Sequence, residues 1–317
     1  MTPRPSVLVT GGAGFIGRTL AGKLAELGRR VIVLDNLLQH HDAAPPDPPR
    51  DGELVVGDVR DTRMLRDLLE REQPDTVYHL AAMHYIPACE ADPPECISIN
   101  TTGTASVLEA CARVSLRPAC VLASTGAVYA PAEHAHGEAD PVAPVDVYGF
   151  SKMWLEQIAA LYARRERMRI AVARLFNVYG RGETNPHLIP TLIEQALNGR
   201  VLHVGNLDTR RDYVHVDDVA RALIAMGDHP RSRGMVTLNV GSGRAVSGHE
   251  VVAAIGAAAG HALEVVIDQS RLRKMDRRLL LSDPGRAEDV LGWRPQIAFE
   301  GGIADVVGAS IAAGTRV

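Results

Sequence analysis

Short apolar runs alternate with longer stretches of helical period through the first half of the chain. SVLVT, RVIVLD, ELVVGD, TVYHLAA, ACVLAS and RIAVARLF are apolar almost throughout, as expected of strands covered on both faces. Between them, FIGRTLAGKLAELG, TRMLRDLLERE and TGTASVLEACARV repeat their apolar positions every three or four residues, the spacing of a helix with one buried stripe. Strand–helix–strand alternation predicts an α/β fold, a doubly wound parallel sheet with helices on both faces. Beyond residue 175 the pattern loosens. Helical stretches at HLIPTLIEQALNG, HVDDVARALIAMG and SGHEVVAAIGAAAG alternate with short strands at VLHVG, VTLNVG and LEVVID. These predict the last elements of the sheet and a smaller C-terminal α/β lobe. No Gly/Ser-rich linker separates the two parts, so they are expected to pack closely.

Composition narrows the function. The 317 residues are 46% hydrophobic, enough for a large core, and the formal net charge of −4 offers no basic field for nucleic acid or an anionic membrane. No apolar run approaches the roughly 18 residues of a membrane span. The N-terminus runs from MTPRP directly into a strand with no signal-peptide pattern, so a cytoplasmic location is expected. Cys89, Cys96, Cys111 and Cys120 form no C-x-x-C pair and no histidine cluster has metal-ligand spacing, which predicts reduced thiols and no metal. His40-His41, in a proline-rich stretch, reads as a solvated loop.

The first strand ends in TGGAGFIG. Gly11, Gly14 and Gly17 stand at G-x-x-G-x-x-G spacing between a strand and an amphipathic helix, the context in which glycines admit a pyrophosphate to a helix N-terminus. Asp35 ends the second strand, where its carboxylate can accept the adenosine ribose hydroxyls and repel a 2′-phosphate. That favours NAD over NADP. Asp58 ends the third strand and is a candidate for the adenine amino group. Further on, VYGFSK places Tyr148 and Lys152 four apart on a helix read over Tyr148–Arg165, so phenol and ammonium can face one site. A nearby cation stabilises a phenolate, and a bound nicotinamide cation would add to that. The reading therefore expects Tyr148 lowered toward neutrality and usable as a general base.

TGGAGFIG, VLDN, GDVRD, HLAA, YGFSK, RLFNVYGRG, RRDYVHVDDVA and NVGSG occur in that order. In this the chain resembles, over essentially its whole length, the extended short-chain dehydrogenase/reductases that modify nucleotide-sugars, nearest to UDP-glucose 4-epimerase-like members. The resemblance implies an NAD-binding Rossmann domain over residues 1–175, with 206–240 returning to it. It implies a nucleotide-sugar lobe over 176–317, mainly 176–205 and 241–317. Cofactor contacts would come from Gly11, Gly14, Phe15, Ile16, Gly17, Asp35, Asn36, Asp58, Val59, Leu80, Ala81, Ala82, Tyr148 and Lys152. Tyr148 would be the catalytic base, Lys152 its partner, and Thr125, four residues before Tyr129, the hydroxyl that bonds the reacting sugar oxygen. Ser124, His84, Asn177 and Arg211 would line the substrate site, and Arg273 and Asp276 would hold diphosphate and ribose. A homodimer is implied, through a bundle of the TGTASVLEACARV helix and the Tyr148 helix.

The resemblance also bears on the reaction. Dehydratases and decarboxylases of this kind carry carboxylates after the catalytic hydroxyl, where this chain has Gly126 and Ala127. That version resembles the epimerases, which need only oxidation at one carbon and re-reduction on the other face, through a 4-keto sugar if the carbon is C4. His84 stands where many 4-epimerases have a lysine, and Leu280 where they have a residue near the sugar, which leaves the sugar open. A dehydratase, decarboxylase or reductase on the same fold, and an NAD-sensing scaffold without activity, remain the alternatives.

Overall fold

The computed structural model describes residues 5–38, 52–229, 234–271 and 277–314. The first half follows the apolar runs closely: β1 (Ser6–Thr10), α1 (Phe15–Glu26), β2 (Arg30–Asp35), β3 (Glu53–Val56), α2 (Thr62–Glu72) and β4 (Thr76–His79). Two short helices come next, α3 (Ile86–Ala91) and α4 (Pro93–Ile97). A π-helical turn at Ser98–Thr102 then leads into α5 (Gly103–Arg113). β5 (Ala119–Thr125), α6 (Val147–Arg165) and β6 (Arg169–Leu175) complete the alternating part. The second half comprises β7 (Asn177–Tyr179), α7 (Leu188–Asn198), β8 (Val201–Val204), β9 (Arg210–His215), α8 (Val216–Asp228) and β10 (Gly234–Val240). It ends with β11 (Ala245–Ser247), α9 (Gly248–Ala259), β12 (Glu264–Ile267), β13 (Leu279–Leu280), α10 (Gly285–Leu291) and α11 (Phe299–Ala312).

Seven strands form one parallel sheet in the order β10-β6-β5-β4-β1-β2-β3. The order reverses between β1 and β4, and ligands of open α/β sheets bind at such a switch point, beyond the carboxyl ends of the strands. The period-two rule explains the apolar runs. Val7, Val9, Val31, Val33, Val121 and Ala123 pack on one face with α1 and α8. Leu8, Ile32, Leu34, Cys120 and Leu122 pack on the other with α2, α5 and α6. Both faces are dry, so no position in these strands could be polar without a partner.

The smaller lobe has its own core around Ile189, Leu192, Leu202, Val251 and Ile303. Its sheets are small: β9 pairs with β7, β11 and β13, and β8 pairs with β12. Two boundaries differ from the sequence reading. Of 206–240, β10 joins the large sheet and α8 packs on α1, whereas β9 belongs to the small sheet. Ala287 and Trp293, assigned by sequence to the lobe, are buried in the core under the large sheet. Asp212 on β9, fully buried, ties the pieces together. It accepts the backbone N–H of Ser242 (2.6 Å), Gly243 (3.0 Å) and Ser282 (3.1 Å). Among the described residues no helix is long and apolar enough to cross a membrane.

Candidate active site

The glycine turn lies at the switch point. Gly11 has φ +68°, a left-handed conformation that side chains resist, and a Cβ there would stand 2.6 Å from the Ala81 nitrogen. A Cβ on Gly17 would stand 2.1 Å from the Gly11 carbonyl oxygen, so the helix can start against the turn only without a side chain. Gly14 caps α1 with no side-chain acceptor, which leaves the first-turn N–H groups of Phe15, Ile16 and Gly17 to an outside anion. Asp35 accepts from Ala13 N–H (3.0 Å) and Leu37 N–H (2.9 Å) and so fixes the turn, each oxygen keeping a second lone pair. Asn36 bonds locally, accepting from Leu38 N–H at 3.3 Å.

Asp58 is first of all the anchor of Arg60. It takes the Arg60 backbone N–H (2.8 Å), Nε (2.9 Å) and Nη2 (2.6 Å), and this bonding holds its carboxyl below the usual carboxylate range. An adenine contact would share these oxygens. The neighbouring Val59 is buried, close against Gly103 at the start of α5. Leu80 continues the sheet by donating its N–H to the Thr10 carbonyl (3.0 Å), Ala81 lies over Gly11, and Ala82 follows at the same mouth.

A buried polar chain runs from that mouth to Tyr148, and the sequence did not reveal it. Thr104 gives its proton to the Asn100 carbonyl (2.6 Å), so it must accept from His79 Nε2 (3.0 Å). His79 Nδ1 then accepts from Thr10 at 2.7 Å. Burial lowers His79 to about 3, so the imidazole is neutral, as this assignment requires. Asn100, in the π-helical turn, holds the Met83 backbone by both N–H (2.8 Å) and C=O (2.9 Å) and donates to Ser151 (2.9 Å). Ser151 donates to the carbonyl of Tyr148 at 2.7 Å. One side chain thus fixes the segment after β4 relative to the first turn of α6. A π-turn breaks the helical period, which is why no repeat pattern points to it.

Tyr148 and Lys152 come together on α6, as their spacing predicts, and Thr125 ends β5 beside them. Asp146 caps α6 by accepting from Gly149 N–H (2.7 Å), which sets Tyr148 in the first turn. Lys152 Nζ lies 6.0 Å from the Tyr148 ring centre and donates to the Ala123 carbonyl at 2.9 Å. Thr125 accepts from Ala127 N–H at 3.1 Å. The electrostatics differ from the sequence reading. Burial pushes the Tyr148 phenol above its ordinary value, and the nearby Thr125 hydroxyl works against it. Burial also lowers Lys152 to about 8. Among protein groups alone, desolvation is the largest influence on both groups.

Ser124 is a correction. Strand alternation turns it away from Thr125, and it is 2% exposed. Its hydroxyl donates to Glu156 at 2.6 Å rather than into a substrate site. Glu156 in turn binds Arg174 through two bonds, 3.0 and 2.7 Å, and the guanidinium lies 4.7 Å over the Tyr129 ring.

Toward the smaller lobe, Asn177 has a buried side-chain oxygen with no partner among the described residues. His84 lies 3.1 Å from Asn185 Nδ2, with its ring edge-on to His187, and His187 is 3.6 Å from Glu183. Arg211 donates to the carbonyls of Arg277 (2.8 Å) and Arg210 (2.9 Å). Arg277 was not singled out in the basic stretch, yet it grips the turn after Thr125, bonding the carbonyls of Tyr129 (2.8 Å) and Ala127 (2.9 Å). Arg273, Asp276 and His40-His41 lie outside the described residues. Leu280, on β13, is half-buried against Val128, Tyr129 and Phe176.

The NAD dependent epimerase/dehydratase family model matches residues 7–241. The chain belongs to that family. UDP-glucose 4-epimerase of Mycolicibacterium smegmatis is 34% identical over 95% of this chain and 96% of its own. GDP-6-deoxy-D-mannose reductase of Pseudomonas aeruginosa is 29% identical over 95% of this chain and 94% of its own. The solved structure of MoeE5 in complex with UDP-glucose and NAD superimposes with a TM-score of 0.88 at 30% identity, covering 98% of this chain and 100% of that one. These findings agree with the extended short-chain dehydrogenase/reductase resemblance. The chain is accordingly an NAD-dependent enzyme of the sugar epimerase/dehydratase type.

The residues of this chain fit the family cofactor. The turn is a cradle that a Cβ at Gly11 or Gly17 would fill, the α1 N-terminus has no side-chain cap, and an acidic residue ends β2.

Proposed function

We propose that the chain is an epimerase of a nucleotide-diphosphate sugar, inverting C4 through a 4-keto intermediate. The observation that carries this reading is the turn after Thr125. Elimination needs an acid and a base there, and this chain has buried Gly126 and Ala127. A Cβ on Gly126 would already stand 3.1 Å from the Phe176 ring, so a side chain there would have to shift that ring.

NAD, when bound, supplies reversible hydride acceptance, so oxidation and re-reduction need no second substrate. Tyr148 takes the proton of the sugar hydroxyl as the carbonyl forms and returns it as the carbonyl is reduced. Thr125 orients that oxygen and passes its hydrogen bond on to the phenol. Lys152 supplies positive charge beside the phenolate, in a buried site where charge acts strongly. Phe15, Ile16, Gly17, Asp35, Asn36, Asp58, Val59, Leu80, Ala81 and Ala82 would line the cofactor, and Asn177 and His84 the sugar side. Arg211, which also holds the Arg277 carbonyl, would offer its guanidinium fork to a diphosphate. Arg273 and Asp276 are assigned to diphosphate and ribose on the resemblance alone. Phe150, Trp154 and Leu161 leave apolar surface exposed on α6, which supports a homodimer through α5 and α6.

The test is a panel of UDP-, dTDP-, GDP-, CDP- and ADP-sugars, with products read by NMR and mass spectrometry and the same preparation sized by light scattering. A product of unchanged mass with inverted C4, from a dimer, is expected. Loss of one water would establish elimination instead. Net consumption of a reduced cofactor with a 4-keto substrate would establish a reductase, the activity named for the Pseudomonas relative.

A further inference from the structure

A second group of chemically active side chains lies on the loop between the Thr125 turn and α6, apart from Thr125, Tyr148 and Lys152. We propose that His134, His136 and Asp140 form a transition-metal site that takes a zinc-class divalent cation. Each offers one ligand atom, and the three atoms lie within 4.8 Å of one another. His134 Nε2 is 3.1 Å and His136 Nδ1 3.4 Å from the same Asp140 oxygen, Oδ2. Tetrahedral zinc with bonds of about 2.0–2.1 Å sets its ligand atoms about 3.3–3.4 Å apart. Both separations are therefore close to what the ion needs. Two imidazoles and a carboxylate suit zinc, nickel or copper and leave the fourth position to water.

His136 provides an independent observation. It is 2% exposed, and among the described residues neither ring nitrogen has a hydrogen-bond partner. An unpartnered polar group in the interior is costly, and a cation bound at Nδ1 would supply the missing partner. The 3.4 Å approach to Asp140 would be an ion pair only with a protonated ring. Metal ligation takes the imidazole in its neutral form.

The ligands are held in place by the fold. The His136 ring stacks on Tyr129 at 4.4 Å and 4°, and Tyr129 is fixed by its hydroxyl bond to Asn239 (2.6 Å). The His136 backbone is pinned on both sides, donating to Leu281 O (2.8 Å) and accepting from Asp283 N–H (2.8 Å). Asp140 folds back over the histidines through its N–H bond to Gly137 O (3.1 Å), and its Oδ2 accepts Gly137 N–H (3.3 Å). His134 is largely exposed and opens the site to solvent. The Arg277 charge opposes a cation here, and Asp140 offsets it. The sequence reading expected no metal here, because the loop brings Asp140 back onto His134 and His136 by turns that no ligand-spacing motif announces. An ion here would brace the loop that leads from Thr125 to Tyr148.

The test uses the full-length chain without a histidine tag, stripped of metal and titrated with Co(II) and then Zn(II). One equivalent of cobalt with intense tetrahedral absorption bands, displaced by zinc, is expected. His134→Ala and Asp140→Asn should each weaken cobalt binding by more than about 100-fold, beyond the loss of an outer-shell partner. Both residues are on the surface side, so circular dichroism and NAD retention should not change. His40→Ala/His41→Ala should bind as the unmodified chain does. An octahedral spectrum, unchanged affinity in the His134 and Asp140 variants, or loss of binding in the His40/His41 variant would overturn the proposal.

Discussion

Tyr148 and Lys152 meet as their spacing requires, but in the protein alone their environment opposes the charge each would carry in the reaction. Burial raises the phenol and lowers the ammonium. Tyr148→Phe keeps the ring and removes the proton carrier. It should lower kcat by about 10²- to 10⁴-fold with little change in substrate KM or melting temperature. A kcat within threefold of the unmodified chain would remove Tyr148 from the mechanism. Lys152 has a consequence for stability. Its pKa is about 8 folded, below its ordinary value of about 10.4, so between these values the unfolded chain binds more protons. Stability therefore rises with pH across that window, and below it the cost is constant at about 3 kcal/mol. Lys152→Met removes the cost. In cofactor-stripped protein, the stability gap between the two chains should narrow by about 2 kcal/mol from pH 7 to pH 9.5, read by urea unfolding. Parallel profiles would contradict the burial argument.

At the scale of elements, buried polar groups fix how the strands and helices sit beneath the site. Glu156 of α6 joins Ser124 of β5 to Arg174 of β6, and both ionic side chains are about nine-tenths buried. Glu156→Gln leaves Arg174 charged without its counter-ion and should cost about 3–5 kcal/mol in urea unfolding. Glu156→Gln with Arg174→Met removes both charges and should recover much of that loss. If the double variant is no better than the single, the unpaired charge is not the cause. This network also explains the misreading of Ser124. Beside Thr125 in sequence it looks like a second hydroxyl lining the substrate site, whereas strand alternation sends the two to opposite faces.

At the scale of the molecule, the large sheet was legible because each strand is dry on both sides and each helix shows one apolar stripe. The cofactor turn was legible because its glycines are demanded locally, by close approach at Gly17 and a left-handed turn at Gly11. What was not legible depends on contacts far apart in sequence. Asn100 bonds Ser151, Arg277 grips Ala127, and Trp293 completes a core begun at Val7. The short strands of the lobe were missed for the same reason, since β7, β11 and β13 have two or three residues each, too few to show a period. The central claim is epimerisation at one carbon by hydride removal and return within a single site. It is tested most directly with nucleotide-sugar carrying deuterium at C4, converted in ordinary water. The account predicts an inverted product that retains the label at C4. Loss of the label to solvent would contradict it.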